Sequence, residues 1–157
     1  MNQMTEKQTL PKVERPLLIV GWMEYVDLPD LGLLKVKAKI DTGARTSALH
    51  ARDIETFKKG AEDWVRFTTH APHGDTDIQI ESPIHSMRSI KNTSGVPEER
   101  IVIRTKFRLA QRSWTIDLSL TDRGNMTFGL IVGRTALKNN SIAVHTRRAL
   151  LTQKRPN

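Results

Sequence analysis

The sequence predicts a mostly β fold in one domain, with a closed or strongly curled sheet and only short helices. Several short segments alternate apolar and polar residues with a period of two, which is typical of half-buried strands. Turn residues separate these segments at regular intervals, as in barrels and sandwiches. The chain has 157 residues, of which 38% are hydrophobic and 27% charged. That is enough to bury a core without covalent cross-links.

The clearest strand prediction covers residues 35–40, where Val36, Ala38 and Ile40 alternate with three lysines. Residues 28–32 precede it and contain proline and glycine, so they predict a turn. Shorter apolar or β-branched runs predict the remaining strands. Together the predicted strands cover residues 17–23, 35–40, 64–68, 77–81, 101–109, 113–121, 128–132 and 141–145.

Two short helices and one irregular segment complete the predicted elements. Residues 47–57 and 134–138 are the helix candidates, whereas residues 84–100 have no clear period and contain glycine and proline. A long segment without regular structure is often a functional lid. We expect a flexible N-terminal arm at residues 1–15 and a basic C-terminal tail at residues 149–157, with the domain between them at residues 16–148.

The composition excludes several kinds of chemistry. The chain has no cysteine, so disulfides, thiolate zinc sites and a cysteine nucleophile are excluded. Lysine and arginine number 25 against 17 acidic residues, for a formal net charge of +8. Such a charge attracts polyanions or acidic peptides, or serves solubility alone. With no apolar run long enough for a signal peptide or a membrane span, we expect a cytoplasmic protein without membrane contact.

The sequence offers little support for a metal or a nucleotide cofactor. His70 and His73 are the only close histidine pair, and Pro72 between them disfavours a helix that would place both rings on one face. The glycine-rich phosphate-binding patterns are absent as well. We therefore expect no metal and no cofactor.

The candidate catalytic motif is Asp41-Thr42-Gly43, which directly follows the strand predicted at residues 35–40. A tight turn at the end of a buried strand would hold the Asp41 carboxylate rigidly at the surface. The Thr42 hydroxyl can tie the turn to a neighbour, and Gly43 permits close approach of a second backbone. Because a three-residue pattern also occurs by chance in many loops, the motif alone is a weak signal.

One carboxylate cannot supply both the base and the acid that amide hydrolysis requires. Two carboxylates about 3 Å apart share one proton and supply both roles. The chain has no second motif of this kind, and Asp122 lacks the same turn chemistry. The second carboxylate is therefore expected from Asp41 of another copy across a two-fold axis, which predicts a homodimer.

A later segment adds a resemblance to a known class of enzyme. Ile131-Val132-Gly133-Arg134 resembles the segment near the end of retroviral aspartic proteases, where the apolar pair and the glycine pack beside the catalytic turn. The order of motifs also resembles that class, with residues 84–100 at the position of the flap. The chain is still more similar to a bacterial retropepsin-like (RimB-like) family often labelled an ATP-dependent zinc protease. That resemblance covers residues 17–145 and is most specific over residues 38–50.

The resemblance implies a single-lobe, retropepsin-like (acid protease) closed β-barrel and an aspartic endopeptidase that acts as a homodimer. It also links the family with glutamate ligases, so we expect a peptide or protein substrate with glutamate-rich or glutamylated tails, and a ligase as a possible partner. Asp41 would hold the attacking water, braced by Thr42 and Gly43. The expected substrate-binding residues are Ala44, Arg45, Arg88, Lys91, Ile131, Val132 and Gly133.

Two arginines leave the local charge pairing open. Retroviral enzymes usually carry an acidic residue where this chain has Arg45, and that acid can pair with the arginine that corresponds to Arg134. The two arginines could instead form a cationic pocket for a substrate carboxylate. Alternatively, each could pair with an acid elsewhere, such as Asp117 or Asp122. We expect such a pairing for Arg134 and leave Arg45 open.

The alternative function is a non-catalytic basic β-domain that binds a ribosomal protein, RNA or a glutamate-ligase partner. The net charge supports it. The aromatic residues, however, do not alternate with basic residues along the sequence as a base-stacking platform would require. We favour the peptidase hypothesis, which does not require nucleic acid as a partner.

Overall fold

The computed structural model describes residues 15–92, 94–122 and 127–153. A short 3₁₀ turn, Pro29–Leu31, and one helical turn, α1 (Arg134–Leu137), interrupt the strands. The strands of these residues are β1 (Leu18–Gly21), β2 (Met23–Leu28), β3 (Leu33–Asp41), β4 (Ser47–His50), β5 (Arg52–Lys59), β6 (Glu62–His70), β7 (Asp77–Pro83), β8 (Ser86–Lys91), β9 (Pro97–Leu109), β10 (Arg112–Thr121), β11 (Leu130–Gly133) and β12 (Ile142–His145).

Six strands form a closed barrel, which confirms the predicted fold class. Their order is β10-β4-β11-β3-β2-β9, and β9 pairs with β10 to close the circle, while β8 extends the sheet from β9. Strand β3 runs parallel to β11 and antiparallel to β2. Closure leaves the six barrel strands without an unpaired edge, which protects them from pairing with other chains.

The barrel interior is filled by the inward-facing side chains, which alternate with outward-facing ones along a strand such as β3. In β3, Ala38 and Ile40 are buried between exposed lysines, as the alternating pattern predicted. The largest buried side chains include Phe67, Phe107 and Leu118. Burial of such apolar side chains contributes roughly 1.5–3 kcal/mol each.

The helix predicted at residues 47–57 is wrong. Those residues form β4 and the start of β5. All four residues of β4 are buried, so its sequence shows no alternation, and nearly all of β5 is exposed. Strand β5 belongs to a separate sheet of order β5-β6-β7, which lies between β4 and β8 in the sequence. Val65, Phe67 and Ile80 from this sheet join the main core.

The irregular segment predicted at residues 84–100 is also wrong in its structure. It contains β8 and the start of β9, which pair antiparallel from Ser86 with Val102 to Lys91 with Pro97. The tip is a tight turn in which Gly95 has a φ of 78°, a conformation that glycine adopts without strain. The segment at the expected flap position is therefore a β-hairpin.

The structure describes the first part of the expected C-terminal tail but almost none of the expected N-terminal arm. Of the arm expected at residues 1–15, residues 1–14 lie outside the described residues. The first residues of the expected tail are hydrogen-bonded to the domain, since the Leu150 N–H donates to the Met23 carbonyl over 2.9 Å. Within the described ranges, no helix is long and apolar enough to cross a membrane.

Candidate active site

The turn after β3 fixes the Asp41 carboxylate. The Ala44 N–H donates to the Asp41 carbonyl over 3.1 Å and closes the turn. The Gly43 N–H donates to Asp41 Oδ1 over 3.0 Å, so the side chain is held by its own turn. Lys39 Nζ lies 4.0 Å from Asp41 Oδ2, and the Asp41 side chain remains 30% exposed. The carboxylate is therefore oriented by the backbone and still accessible from outside.

Strand β11 places Gly133 directly beside Asp41. The parallel register pairs Val132 with Ile40 and Gly133 with Asp41. A Cβ atom at Gly133 would lie 2.6–2.9 Å from the backbone atoms of Thr46, which is too close for any side chain. Gly43 has a different role, because a Cβ there would meet only Asp41 Oδ1, at 3.2 Å. Within the chain, the close backbone approach that we expected at Gly43 thus occurs at Gly133.

Buried hydrogen bonds join three strands behind the turn. Ser47 Oγ accepts a hydrogen bond from the Gly133 N–H over 3.0 Å. The Ser47 carbonyl accepts a second one from Ser119 Oγ over 2.9 Å. Both serines are buried. A buried donor that loses its acceptor costs about 1–3 kcal/mol, so Ser47 stabilises the junction of β4, β10 and β11.

The start of α1 holds the other side of the turn. The Arg134 N–H donates to the Ala44 carbonyl over 2.9 Å. The Thr135 hydroxyl donates to the Arg45 carbonyl over 2.8 Å. Together with the β3–β11 pairing, these bonds bring Asp41, Thr42, Gly43, Ala44, Arg45, Ile131, Val132 and Gly133 into one neighbourhood.

The expected pairing of Arg134 with a distant acid is wrong. Its guanidinium Nη1 points back to the Asp41 turn and lies 3.4 Å from the carbonyl oxygens of both Thr42 and Gly43. Asp117, one of the acids considered for this role, is instead paired with Arg88 and Arg104. Within the described part of the chain, the Arg45 side chain forms no ion pair or hydrogen bond, and it is exposed.

A cationic pocket adjoins the turn. Its volume is about 430 Å³, and it is lined by Thr42, Arg45, Arg134, Thr135, Leu137, Lys138, Ile142 and Val144. Three of these side chains carry a positive charge and none carries a negative charge. A second cavity of about 320 Å³ shares Thr135 with this pocket and reaches Arg104 and Asp117. Thr135 therefore lines both cavities, one beside the Asp41 turn and one beside Asp117.

Arg88 and Lys91 lie on β8 of the β8–β9 hairpin, which is not among the strands that flank the Asp41 turn. Arg88 Nη2 contacts Asp117 Oδ2 at 2.8 Å, and Arg104 Nε contacts Asp117 Oδ1 at 2.9 Å. Burial alone would raise the pKa of Asp117, but the hydrogen bonds from Arg104 and Arg88 outweigh it and lower that pKa. Arg88 is therefore engaged by Asp117, whereas Lys91 is exposed at the end of β8.

A histidine pair joins the barrel to the three-stranded sheet and was not predicted from the sequence. The rings of His50 and His70 stack with centroids 4.8 Å apart. His70 Nδ1 is 2.8 Å from Asp77 Oδ1, and His50 Nδ1 is 3.6 Å from Asp122 Oδ1. Burial lowers the pKa of His50, and His70 lowers it further. Twenty positions separate the two histidines, so only the fold brings them together.

No group of three or more histidine, aspartate or glutamate side chains is arranged to hold a metal ion in the ranges that the structure describes. This includes His70 and His73, the pair singled out in the sequence.

Comparison with solved structures gives the same fold. A Legionella pneumophila protein of unknown function (DUF785) superposes with a TM-score of 0.72 and 29% identity, over 86% of this chain and 98% of that one. The match covers nearly all of the compared chain.

Curated relatives carry a matching segment inside much longer chains. A "Probable alpha-L-glutamate ligase" from Desulfotalea psychrophila is 40% identical over 126 residues, which is 79% of this chain and 27% of the relative. A protein of the same name from Parasynechococcus marenigrum is 42% identical over 122 residues, or 76% of this chain and 26% of the relative. The chain spans about a quarter of the length of these curated relatives.

The match to a protein family covers most of the chain and includes the Asp41 turn. A family model described as "Retropepsin-like aspartic endopeptidase RimB" matches residues 19–155. This range contains the barrel, the three-stranded sheet, the flap hairpin and the described C-terminal residues. The chain belongs to the RimB-like family of retropepsin-like proteins.

Proposed function

We propose that the protein is an aspartic endopeptidase in which Asp41 of one copy and Asp41 of a second copy share a proton. The observation that carries the proposal is the Asp41 turn. A single carboxylate, 30% exposed, is held by its own turn and by the flanking β11. The ionised member of such a pair takes a proton from water as it attacks the peptide carbonyl. The protonated member supplies the proton that the departing amine requires.

Exposed apolar residues on the β1–β12 sheet support pairing of two copies. Strands β1 and β12 form a two-stranded parallel sheet. One face packs on the core through Leu18, Ile142 and Val144. The other face leaves Ile19 53% exposed, and the adjoining Leu17 is 65% exposed. A second copy would cover this apolar surface, and Ile142 and Val144 connect the same sheet to the pocket beside Thr42.

The pocket beside the turn supports an acidic substrate. Arg45, Arg134 and Lys138 line it without a compensating carboxylate. Guanidinium groups bind carboxylates through paired hydrogen bonds, and a partly enclosed pocket strengthens such contacts. The relatives named as glutamate ligases carry a matching segment, so we propose glutamate-rich or glutamylated protein tails as the substrate. We also propose that Lys91, exposed at the end of β8, meets further acidic side chains of a long substrate.

The test uses purified protein with a glutamate-extended protein and a general peptide library. We expect the wild type to hydrolyse the extended protein and Asp41→Asn to lose that activity while it keeps the fold. Arg45→Glu is expected to reduce cleavage of glutamate-rich peptides more than cleavage of neutral ones. Equal losses on both substrates would remove Arg45 from substrate selection, and unchanged hydrolysis by Asp41→Asn would remove the peptidase proposal.

A second candidate function is a non-catalytic module that docks on a glutamate ligase. The observation in its favour is that the named ligases contain a matching segment as part of their own chain. RNA binding has less support, since the chain's own cations cover aromatic faces: Lys59 Nζ lies 3.9 Å above the Trp64 ring and Arg66 lies 4.6 Å above Phe57. A docking module would bind the ligase equally well with Asp41→Asn, and no hydrolysis would accompany the binding.

A further inference from the structure

The C-terminal residues run beside the segment that connects β1 to β2. The Trp22 N–H donates to the Arg148 carbonyl over 2.9 Å, and the Leu150 N–H donates to the Met23 carbonyl over 2.9 Å. Two backbone hydrogen bonds therefore join the C-terminal residues to this segment. We call residues 148–152 the C-terminal latch.

Glu24 is the buried centre of the latch. Its side chain has no exposed surface. One oxygen, Oε2, accepts hydrogen bonds from the Gly21 N–H over 2.6 Å and the Leu151 N–H over 2.8 Å. The other, Oε1, accepts from the Thr152 N–H over 3.3 Å and the Thr152 hydroxyl over 2.8 Å. A buried carboxylate requires such donors, since burial without them costs several kcal/mol.

The shape of the chain shows that the latch is closely fitted. A Cβ atom at Gly21 would lie 2.5 Å from the Arg148 carbonyl oxygen and 2.6 Å from Ala149 Cα, so only glycine admits the segment. Leu150 has a φ of 57°, a left-handed conformation that costs an ordinary side chain about 1–2 kcal/mol. Such a conformation persists only where the surrounding contacts enforce it.

Trp22 connects the latch to the catalytic strand. Its N–H faces Arg148, while its carbonyl accepts a hydrogen bond from the Ile40 N–H over 2.7 Å. Ile40 directly precedes Asp41. The backbone at Trp22 is therefore held between the latch on one side and the end of β3 on the other. A shift of the latch would reach the Asp41 turn through Trp22 and Ile40.

We propose that Glu24 is a positioning residue for Asp41 and that it acts through the C-terminal latch. This inference rests on the proposed peptidase function, because its consequence is the geometry of the carboxylate pair. Misplacement of a catalytic group by about 1 Å can cost about a hundredfold in rate. Loss of the latch is expected to lower kcat and to leave KM nearly unchanged, because the substrate pocket is lined by other residues.

A matched pair of single substitutions gives the first test. Thr152→Val keeps the shape of the side chain and removes only the hydroxyl that donates to Glu24, whereas Thr152→Ser keeps that hydroxyl. We expect Thr152→Val to lower kcat by about threefold or more and Thr152→Ser to restore it, since the donated hydrogen bond is what differs. Equal kcat for the two variants would overturn the proposal.

Truncation gives the second test. A chain that ends at Gln153 keeps the whole latch, and a chain that ends at Arg148 loses the residues that bind Glu24. We expect only the shorter chain to lose kcat, by about tenfold or more. A synthetic peptide of residues 146–157 added in trans should restore part of it. A folded shorter chain with unchanged kcat, its fold verified by circular dichroism, would contradict the latch's role.

Amide hydrogen exchange separates this inference from the proposed function. In Thr152→Val and in the shorter chain, the Ile40 amide should exchange faster than in the wild type, because loss of bonds to Glu24 loosens the Arg148 contact that holds Trp22. This readout needs no substrate. If the wild type hydrolyses nothing, the peptidase proposal fails, and faster exchange at Ile40 still supports positioning of the turn. Unchanged exchange at Ile40 in both variants would overturn the positioning role of the latch.

Discussion

The Asp41 carboxylate is oriented and accessible because two glycines, Gly43 and Gly133, lie beside it. The Gly43 N–H orients its Oδ1, and Gly133 allows β11 to come alongside. The Gly133 N–H is buried by this close packing, and Ser47 Oγ accepts its hydrogen bond. The Asp-Thr-Gly motif predicted a tight turn that holds the carboxylate, but not the Gly43 contact itself. The role of Ser47 could not be predicted, because its partners lie 72 and 86 residues away.

Arg134 shows where reasoning by charge fails at the scale of a residue. The sequence offers carboxylates as partners for an arginine, and the expectation was a pair with one of them. The guanidinium instead lies near two backbone carbonyls of the catalytic turn. Backbone acceptors are present at every position, so the sequence gives no signal that distinguishes them from one another.

Gly133→Ala tests the close approach beside Asp41. The added Cβ would lie 2.6–2.9 Å from the Thr46 backbone, so β4 and β11 must separate. Overpacking of this kind typically costs about 1–3 kcal/mol. The matched control is Gly129→Ala, whose Cβ would meet only His50 Cβ, at the ordinary distance of 3.8 Å. We expect denaturant unfolding to show a clear loss of stability for Gly133→Ala and little for Gly129→Ala. Equal losses would contradict the account of Gly133.

At the scale of elements, regular alternation decided which strands the sequence predicted. Strand β3 alternates between the core and solvent, and it was predicted closely. Strand β4 is buried throughout and β5 is almost entirely exposed, so neither shows a period of two. The flap strand β8 has no fully buried residue. Its residues alternate only between half-buried and exposed, so its sequence lacks the apolar alternation that predicted β3.

The junction between the barrel and the three-stranded sheet is expected to respond to pH. His50 lies on β4 and stacks on His70 of β6, with Asp77 and Arg52 from the same sheet and Asp122 from the end of β10 around them. Burial and His70 lower the pKa of His50 from 6.5. The unfolded chain therefore binds a proton at His50 before the folded chain does. The stabilisation from this group is complete above pH 6.5 and falls as the pH drops below that value.

Chemical unfolding on either side of that value measures the effect. We expect the wild type to lose stability from about pH 7.5 to about pH 5.5, and His50→Gln to lose less over the same interval because it cannot take up the proton. His73→Gln serves as the control, since His73 is exposed and lies outside the stacked pair. If His50→Gln and His73→Gln showed the same pH dependence as the wild type, His50 would have no part in it.

The whole molecule combines a closed six-stranded barrel with a two-stranded β1–β12 sheet, beside which Leu17 and Ile19 are exposed. The barrel class could be predicted from the strand pattern, and the family from the motifs. The added β5-β6-β7 sheet was predicted in part. The strands predicted at residues 64–68 and 77–81 lie in β6 and β7, whereas β5 fell in a predicted helix, because nearly all of its residues are exposed and show no alternation. The C-terminal latch was also missed. A buried glutamate resembles an exposed one in sequence, and residues 149–157 appeared to be a simple basic tail.

The central claim is that hydrolysis requires Asp41 from two copies. Mixing wild type with Asp41→Asn at constant total concentration, under conditions that allow subunits to exchange, tests this claim most directly. If both carboxylates are needed, each mixed pair is inactive, and activity falls as the square of the wild-type fraction. A linear fall would mean that one Asp41 acts alone, and it would contradict the shared-proton pair.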